Sequence, residues 1–344
     1  IPDLDRYNFK VVNIHASGTT KDGLHTWQYP DSEIDKLKDA SIKIVFVVNP
    51  SNPPSYAIHP DTMKHLIKIV KNDNPGMMLI TDDVYGTFVP GFRSLMAELP
   101  HNTIGVYSFS KYFGCTGWRL AVVAVHEKNI YDKMLAGLSD VKKKALNKRY
   151  SSLSLHPEKI KFVDRLVADS RSVALNHTAG LSLPQQAQMA LFALFALLDK
   201  EGKYKKMTQH LIKKRLELLW TSVGFTLPAD LFRAGYYAEI DMMLWSEKNY
   251  GNDFATYMKK HFDPVDILFR LAEETSIVLL NGGGFDGPEW SIRISLANLD
   301  TADYATIGKA IADMLHQYAA EWKHSSQNKN KKNSKEIISH TVAT

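Results

Sequence analysis

Polar and ionisable residues gather where the strand-like runs of this sequence end. Asn52 lies in the turn Asn49-Pro50-Ser51-Asn52-Pro53-Pro54 after one apolar run, Asp82 and Tyr85 follow a second, and Ser108, Ser110, Lys111 and Arg119 follow a third. Open α/β sheets build their sites at the carboxyl ends of strands. Together these side chains offer hydrogen bonds, charges of both signs and one nucleophilic amine. Singly, each has an ordinary structural reading: Asn-Pro pairs make turns, an Asp after a strand caps it, and a Lys in Ser-Phe-Ser-Lys is a surface residue. Their combination points to a site. Other chemistries lack their motifs. The 13 His are scattered without a His-Glu-x-x-His or paired-Cys spacing, and neither a Gly-x-Ser-x-Gly elbow nor a Gly-x-x-x-x-Gly-Lys loop is present. No metal site is expected. Gly282-Gly283-Gly284 stands between two strand signals and reads as a flexible connection.

The elements that must position these residues alternate in type. Ile42 to Val48 is a short β-branched run, expected to be a strand buried on both faces of a sheet. A helix is expected from Pro60, with Met63, Leu66, Ile67 and Val70 on one face. Strands follow at Met77 to Thr81, Thr103 to Ser108 and Leu120 to Val125, then a helical pattern from Glu127 to Leu138. This is an α/β sheet domain. The stretch 139–175 reads as a charged helical insertion, with Lys142, Lys143, Lys144, Lys148 and Arg149 on a solvated face. Leu183 to Leu198 is apolar on every side and is expected to be a buried helix, followed by an amphipathic one from Gly202 to Trp220. A break at Gly224 to Pro228 opens a smaller α+β unit, 224–322, with strand signals at Tyr236 to Leu244, Ile277 to Leu280 and Trp290 to Leu296. Its helices are expected at Pro264 to Glu274 and Ala302 to Trp322. The division is therefore 1–223, 224–322 and a disordered basic tail, 323–344.

Composition bounds the function. A chain of 344 residues with 44% hydrophobic and 23% charged residues has enough core to fold without disulfides. The last 22 residues carry +4 of the net +5, which leaves the body almost neutral and argues against a nucleic-acid groove. The longest apolar stretch, Met189 to Leu198, is too short to span a bilayer, and Asp3, Asp5 and Arg6 stand where a signal peptide would be apolar. The single cysteine, Cys115, suits a reducing cytoplasm.

The run Asn49 to Ser55, the segment Thr81-Asp82-Asp83-Val84-Tyr85-Gly86, Ser108-Phe109-Ser110-Lys111 with Arg119 eight residues on, and Arg293 in Ser291-Ile292-Arg293-Ile294-Ser295 resemble the pyridoxal-phosphate enzymes of the aspartate aminotransferase fold, in order and spacing. Within that superfamily, the stretch from Tyr29 through Phe92-Arg93-Ser94-Leu95-Met96-Ala97 to Tyr107 and Arg119 resembles the aspartate 4-decarboxylases, which release CO2 from aspartate and leave alanine. The resemblance implies a fold type I architecture, a large α/β sheet domain with a smaller C-terminal α+β domain, and pyridoxal 5'-phosphate as cofactor. It implies that Lys111 links covalently to the cofactor and then moves protons. Asp82 would face the pyridine nitrogen, Asn52 and Tyr85 the phenolic oxygen, and Val84 the underside of the ring. Ser108 and Arg119 would hold the phosphate, and Arg293, with Asn52 as a second substrate-binding residue, the substrate α-carboxylate. Arg171 is a candidate for the second carboxylate, but its charged surroundings read as a solvated face.

Three functional readings stay open. One is decarboxylation of L-aspartate with accompanying transamination, another is an aspartate aminotransferase using a keto acid, and the third is a catalytically silent remnant serving as a binding or assembly module. The resemblance also implies a homo-oligomer, at least a dimer. In the family a Gly-rich phosphate loop and an aromatic stacker precede the Asn-Pro motif by a long way, whereas 48 residues precede it here and the first is Ile. The chain is thus expected to be the C-terminal part of a longer enzyme. The incomplete sheet should leave apolar patches that promote aggregation.

Overall fold

The computed structural model describes the backbone of residues 9–21, 24–172 and 180–341, and the side chains of 9–18, 25–172 and 180–325. The last residues of the 139–175 stretch, from 173 on, fall outside the described residues.

Strands β1 (Ser17–Lys21) and β2 (Leu24–Gln28) form an antiparallel hairpin. The first sheet follows, in the order β3 (Ile44–Val48), β4 (Met78–Asp82), β5 (Thr103–Ser108) and β6 (Ala121–Val125). The first three strands are parallel and β6 runs antiparallel to β5. Parallel strands need crossovers, and the helix Pro60–Asn72 supplies the first. Pro60 opens it, the His59 ring accepts the Asp61 N–H, and Asp61 places negative charge in the first turn. Its Leu66, Ile69 and Val70 pack with Leu79, Leu95 and Leu99 in one apolar cluster. That cluster covers a single face of the sheet. Contrary to the expectation of a strand buried on both faces, Phe46 is 66% exposed, Ile44 is exposed too, and Val123 on β6 is 56% exposed.

The helix Leu183–Leu198 also departs from expectation, because no residue in it is buried. Met189 and Phe192 pack on Phe109, Cys115 and Leu120, with the Phe113 and Phe192 rings stacked at 4.8 Å. Leu183 and Leu197 on its other faces are 78% and 74% exposed. In the charged stretch the helices are Asp140–Tyr150 and Phe162–Ser172, joined through a turn at Pro157, and Arg171 is exposed.

The second sheet has the order β7 (Tyr237–Asp241), β9 (Ser291–Ser295), β8 (Leu280–Asn281), all antiparallel. The strand pattern was expected to run to Leu244. It stops at Asp241, whose carboxylate accepts the N–H groups of Met243 and Leu244 and so caps the helix Met242–Tyr250. The sheet's inner face carries Ala238, Ile240, Ile292 and Ile294 into the largest apolar cluster, which also takes in Leu219, Trp245 and Leu315. The helix Lys203–Val223 packs there against the long terminal helix Asp303–Thr341. At that crossing a Cβ on Gly308 would lie 2.6 Å from the Leu219 carbonyl oxygen, so the backbones meet directly. The terminal helix continues through the segment expected to be a disordered tail: with no Pro or Gly after Gly308, nothing in the local chain stops propagation from the packed turns. Among the described residues, no helix is long and apolar enough to cross a membrane.

Candidate active site

Lys111 lies in a single helical turn, Phe109–Tyr112, immediately after β5. Ser108 caps that turn, its hydroxyl oxygen accepting the Ser110 N–H at 3.1 Å while its proton goes to the Leu120 carbonyl at 3.3 Å. The buried thiol of Cys115 donates to the Phe109 carbonyl and ties down the following loop. The Lys111 amine thus projects from a braced turn toward the Tyr236 and Tyr237 rings, 5.5 and 6.0 Å from their centroids.

A hydrogen-bonded chain runs alongside. The Arg293 Nε and Nη2 donate to the Asn52 side-chain oxygen at 3.2 and 3.1 Å. The Asn52 amide donates to the Tyr85 hydroxyl at 3.4 Å, which donates to the Tyr237 hydroxyl at 3.3 Å. The Arg293 guanidinium is also sandwiched, 3.8 Å from the Tyr237 centroid and 4.3 Å from that of Phe285. Its broad faces meet aromatic rings, which suits a weakly hydrated planar cation. Burial raises the Tyr237 phenol, but the Tyr85 hydrogen bond and the charges of Lys111 and Arg293 outweigh it and hold the group below its ordinary range. Tyr85 shifts the other way, raised by burial and by Tyr237.

Asp82 ends β4, with one oxygen accepting the Val84 N–H at 3.1 Å. Burial raises its carboxyl, and that single backbone donor offsets the effect only in part. Val84 is buried beside it. Ser108 and Arg119 reach the same end of the sheet but are engaged locally. Arg119 is exposed in a left-handed conformation, φ 54°, with Nη1 on the Thr116 carbonyl. The structure therefore brings Asn52, Tyr85, Lys111 and Arg293 into one cluster and leaves Ser108 and Arg119 turned to backbone partners.

Two neighbours were not anticipated. Tyr236 and Tyr237 were read only as strand residues, and their place beside Lys111 depends on Ser55, at φ 60°, whose hydroxyl accepts the Tyr237 N–H at 3.0 Å. The glycine run 282–284 is also not the flexible connection expected. A Cβ on Gly282 would lie 1.9 Å from the Ser291 hydroxyl oxygen, and one on Gly283 would lie 2.8 Å from Asn281 Oδ1. The run is a tightly packed turn that sets Phe285 on Arg293. Among the described residues, no group of three His, Cys, Asp or Glu could hold a metal ion.

The pattern of the aminotransferase class I and II family matches residues 2–311. A bifunctional aspartate aminotransferase and L-aspartate beta-decarboxylase from a Pseudomonas species is 46% identical over 323 residues, 94% of this chain and 60% of that protein. An aspartate aminotransferase from Sulfolobus acidocaldarius is 34% identical over 104 residues, 29% of this chain and 25% of its own length. Among solved structures, an aspartate aminotransferase double mutant from Thermus thermophilus superimposes with a TM-score of 0.57 at 16% identity, over 84% of this chain and 61% of that one. Cystalysin from Treponema denticola, which contains a pyridoxal 5'-phosphate cofactor, gives 0.56 at 18% identity, over 92% and 67%. At these identities the structures speak for the fold alone. The chain spans 60% of the length of its Pseudomonas relative. With the family pattern running from the first residues into the terminal helix, over an α/β fold shared with solved aminotransferases, the chain belongs to the aminotransferase class I and II family.

Proposed function

We propose that the protein is a pyridoxal-phosphate enzyme that removes the 4-carboxylate of L-aspartate to give L-alanine and CO2, with transamination between aspartate and a keto acid as its companion activity. The observation that carries this reading is the cluster itself: one lysine amine, a guanidinium and hydrogen-bonding phenols come together, while the carboxyl group that ends β4 is raised by burial with no cation to offset it. The likeness to the bifunctional Pseudomonas protein supports the substrate.

The residues fit the cofactor. Asp82 is lifted by burial, as a carboxylate is when no positive charge faces it, and a protonated pyridine nitrogen would supply that charge. When bound, pyridoxal phosphate supplies the electron sink. Lys111 would link to it and, once displaced by substrate, carry a proton at the substrate α-carbon. Asn52 and Tyr85 would hold the phenolic oxygen, and Val84 would pack under the ring. Ser108 and Arg119 would turn from their backbone partners to the phosphate, a hydroxyl and a planar fork matched to an anion. Arg293 would grip the α-carboxylate through two N–H groups, giving orientation as well as affinity.

The lobe ending at residue 223 would hold the cofactor, and 224–322 would close on the substrate. We also propose a cytoplasmic homo-oligomer, at least a dimer, as the family resemblance suggests; the free, buried Cys115 is in keeping with that compartment.

Borohydride reduction in the presence of pyridoxal phosphate, followed by peptide mapping, is expected to leave a pyridoxyl group on Lys111; its absence would favour a silent remnant. Incubation with aspartate and cofactor but no keto acid should give stoichiometric CO2 and alanine. Turnover that requires a keto acceptor and forms no alanine would reduce the activity to transamination.

A further inference from the structure

Beside Arg293 stands a carboxyl group that the reaction above does not use. Glu239 faces Arg293 in register across β7 and β9. Side chains alternate along a strand, so Glu239 shares its face with Tyr237 and Asp241. Both carboxylate oxygens of Glu239 are out of solvent and neither makes a well-formed hydrogen bond, the Trp27 side chain acting on them only as a weak donor. They press against Gly287, where a Cβ would come within 2.9 Å of Oε2.

The titratable groups around it come from every neighbouring element. From β2 comes His25, whose Nε2 meets Asp241 Oδ2 at 2.9 Å, whose Nδ1 is buried without a partner, and whose ring stacks on Trp27 at 4.7 Å. From β9 comes Arg293, and from Glu239's own strand come Asp241 and Tyr237. A cavity of about 30 Å³ lies between the hairpin and β7; Tyr56 and Arg233 also line it, but are committed to each other at 2.6 and 2.9 Å. The loop before β9 meets Glu239 with Gly287, which has no side chain.

This arrangement has two states. A protonated Glu239 is neutral and leaves the Arg293 guanidinium with only the Asn52 oxygen to satisfy. An ionised Glu239 is a dry anion with the Trp27 side chain as its one weak donor, which is costly, and the Arg293 cation stands opposite it one strand away. Residues directly opposite on an antiparallel pair have Cβ atoms about 5 Å apart, so the guanidinium is within reach.

We infer that Glu239 is a positioning residue for carboxylate binding: protonated, it leaves Arg293 open to a ligand carboxylate, and ionised, it takes the guanidinium for itself. This rests on the reading of Arg293 as the carboxylate grip. Burial, partly offset by His25 and by the Trp27 donor and reinforced by Asp241, pushes the Glu239 carboxyl up to about 7, so the exchange falls in the physiological range.

Succinate, an unreactive dicarboxylate, is the probe. Titration calorimetry on the cofactor-loaded protein is expected to show its affinity falling about tenfold or more between about pH 6 and pH 8.5, with Glu239→Gln holding its affinity within about threefold. Linkage is reciprocal, so saturating succinate should raise the midpoint of the Glu239 carboxyl carbon in glutamate-labelled wild-type protein, a readout that does not depend on the variant folding. An equal loss of affinity in wild type and Glu239→Gln, or a midpoint unmoved by succinate, would overturn the inference and leave the carboxylate grip standing. Absence of succinate binding at both pH values would overturn the grip and the inference together.

Discussion

At the scale of single residues, the site is short of positive charge at Asp82 and supplied with it at Lys111 and Arg293. The raised Asp82 carboxyl means that the folded chain binds a proton there more readily than the unfolded chain does. Stability from this group is therefore greatest below the ordinary carboxylate range and is lost as the pH rises through the unfolded and then the raised folded value. Asp82→Asn removes that loss. The cofactor-free variant should melt a few degrees higher than wild type at about pH 7 and no higher at about pH 3. The same change should lower kcat by about 100-fold or more while cofactor still binds, because the pyridinium loses its counter-charge. A variant that keeps its turnover would remove Asp82 from the chemistry.

At the scale of elements, the strands of the first sheet and the helix from Pro60 were legible because β-branched runs, a Pro at the first helical position and a helical apolar face are local signals. The sequence motifs also picked out Asn52, Tyr85, Lys111 and Arg293, which the fold brings together, since motif order survives in the sequence even where contacts do not. Less visible was anything fixed by a distant partner. Asp241 reads as part of a strand until its carboxylate is seen to cap Met243 and Leu244, and Glu239 reads as a polar strand residue until its oxygens are seen to be dry. The glycines 282 and 283 look permissive in sequence because the atoms that exclude a side chain there belong to Ser291 and Asn281. The same reasoning applies to Gly308 at the crossing of the two long helices. Gly308→Ala gains helix propensity of about 1 kcal/mol, yet its methyl would strike the Leu219 carbonyl and Ser222. The net effect should be destabilisation by about 1–3 kcal/mol in denaturant melts, and a stabilised variant would show that the crossing can yield.

At the scale of the whole molecule, apolar surface is concentrated on the open face of the first sheet, at Ile44, Phe46 and Val123, and along the helix Leu183–Leu198. Scattered exposed leucines are ordinary, but contiguous apolar faces on neighbouring elements are contact surfaces or aggregation sites. The isolated chain is expected to bind a hydrophobic dye and to associate with rising concentration in sedimentation velocity. Both effects should weaken in a Phe46→Thr, Val123→Thr double variant, whereas a monodisperse, dye-silent wild type would contradict this.

The tie between Arg293 and Asn52 has an effect on any ligand that enters. The guanidinium spends two N–H groups on an amide oxygen carried by the turn after β3. An arriving carboxylate must displace that oxygen, so its measured affinity is the difference between a new charged contact and an old neutral one, smaller by about 1 kcal/mol than the grip itself. The displaced amide is then released next to the Tyr85 hydroxyl, so occupancy at one end of the hydrogen-bonded chain is announced at the other, near the lysine.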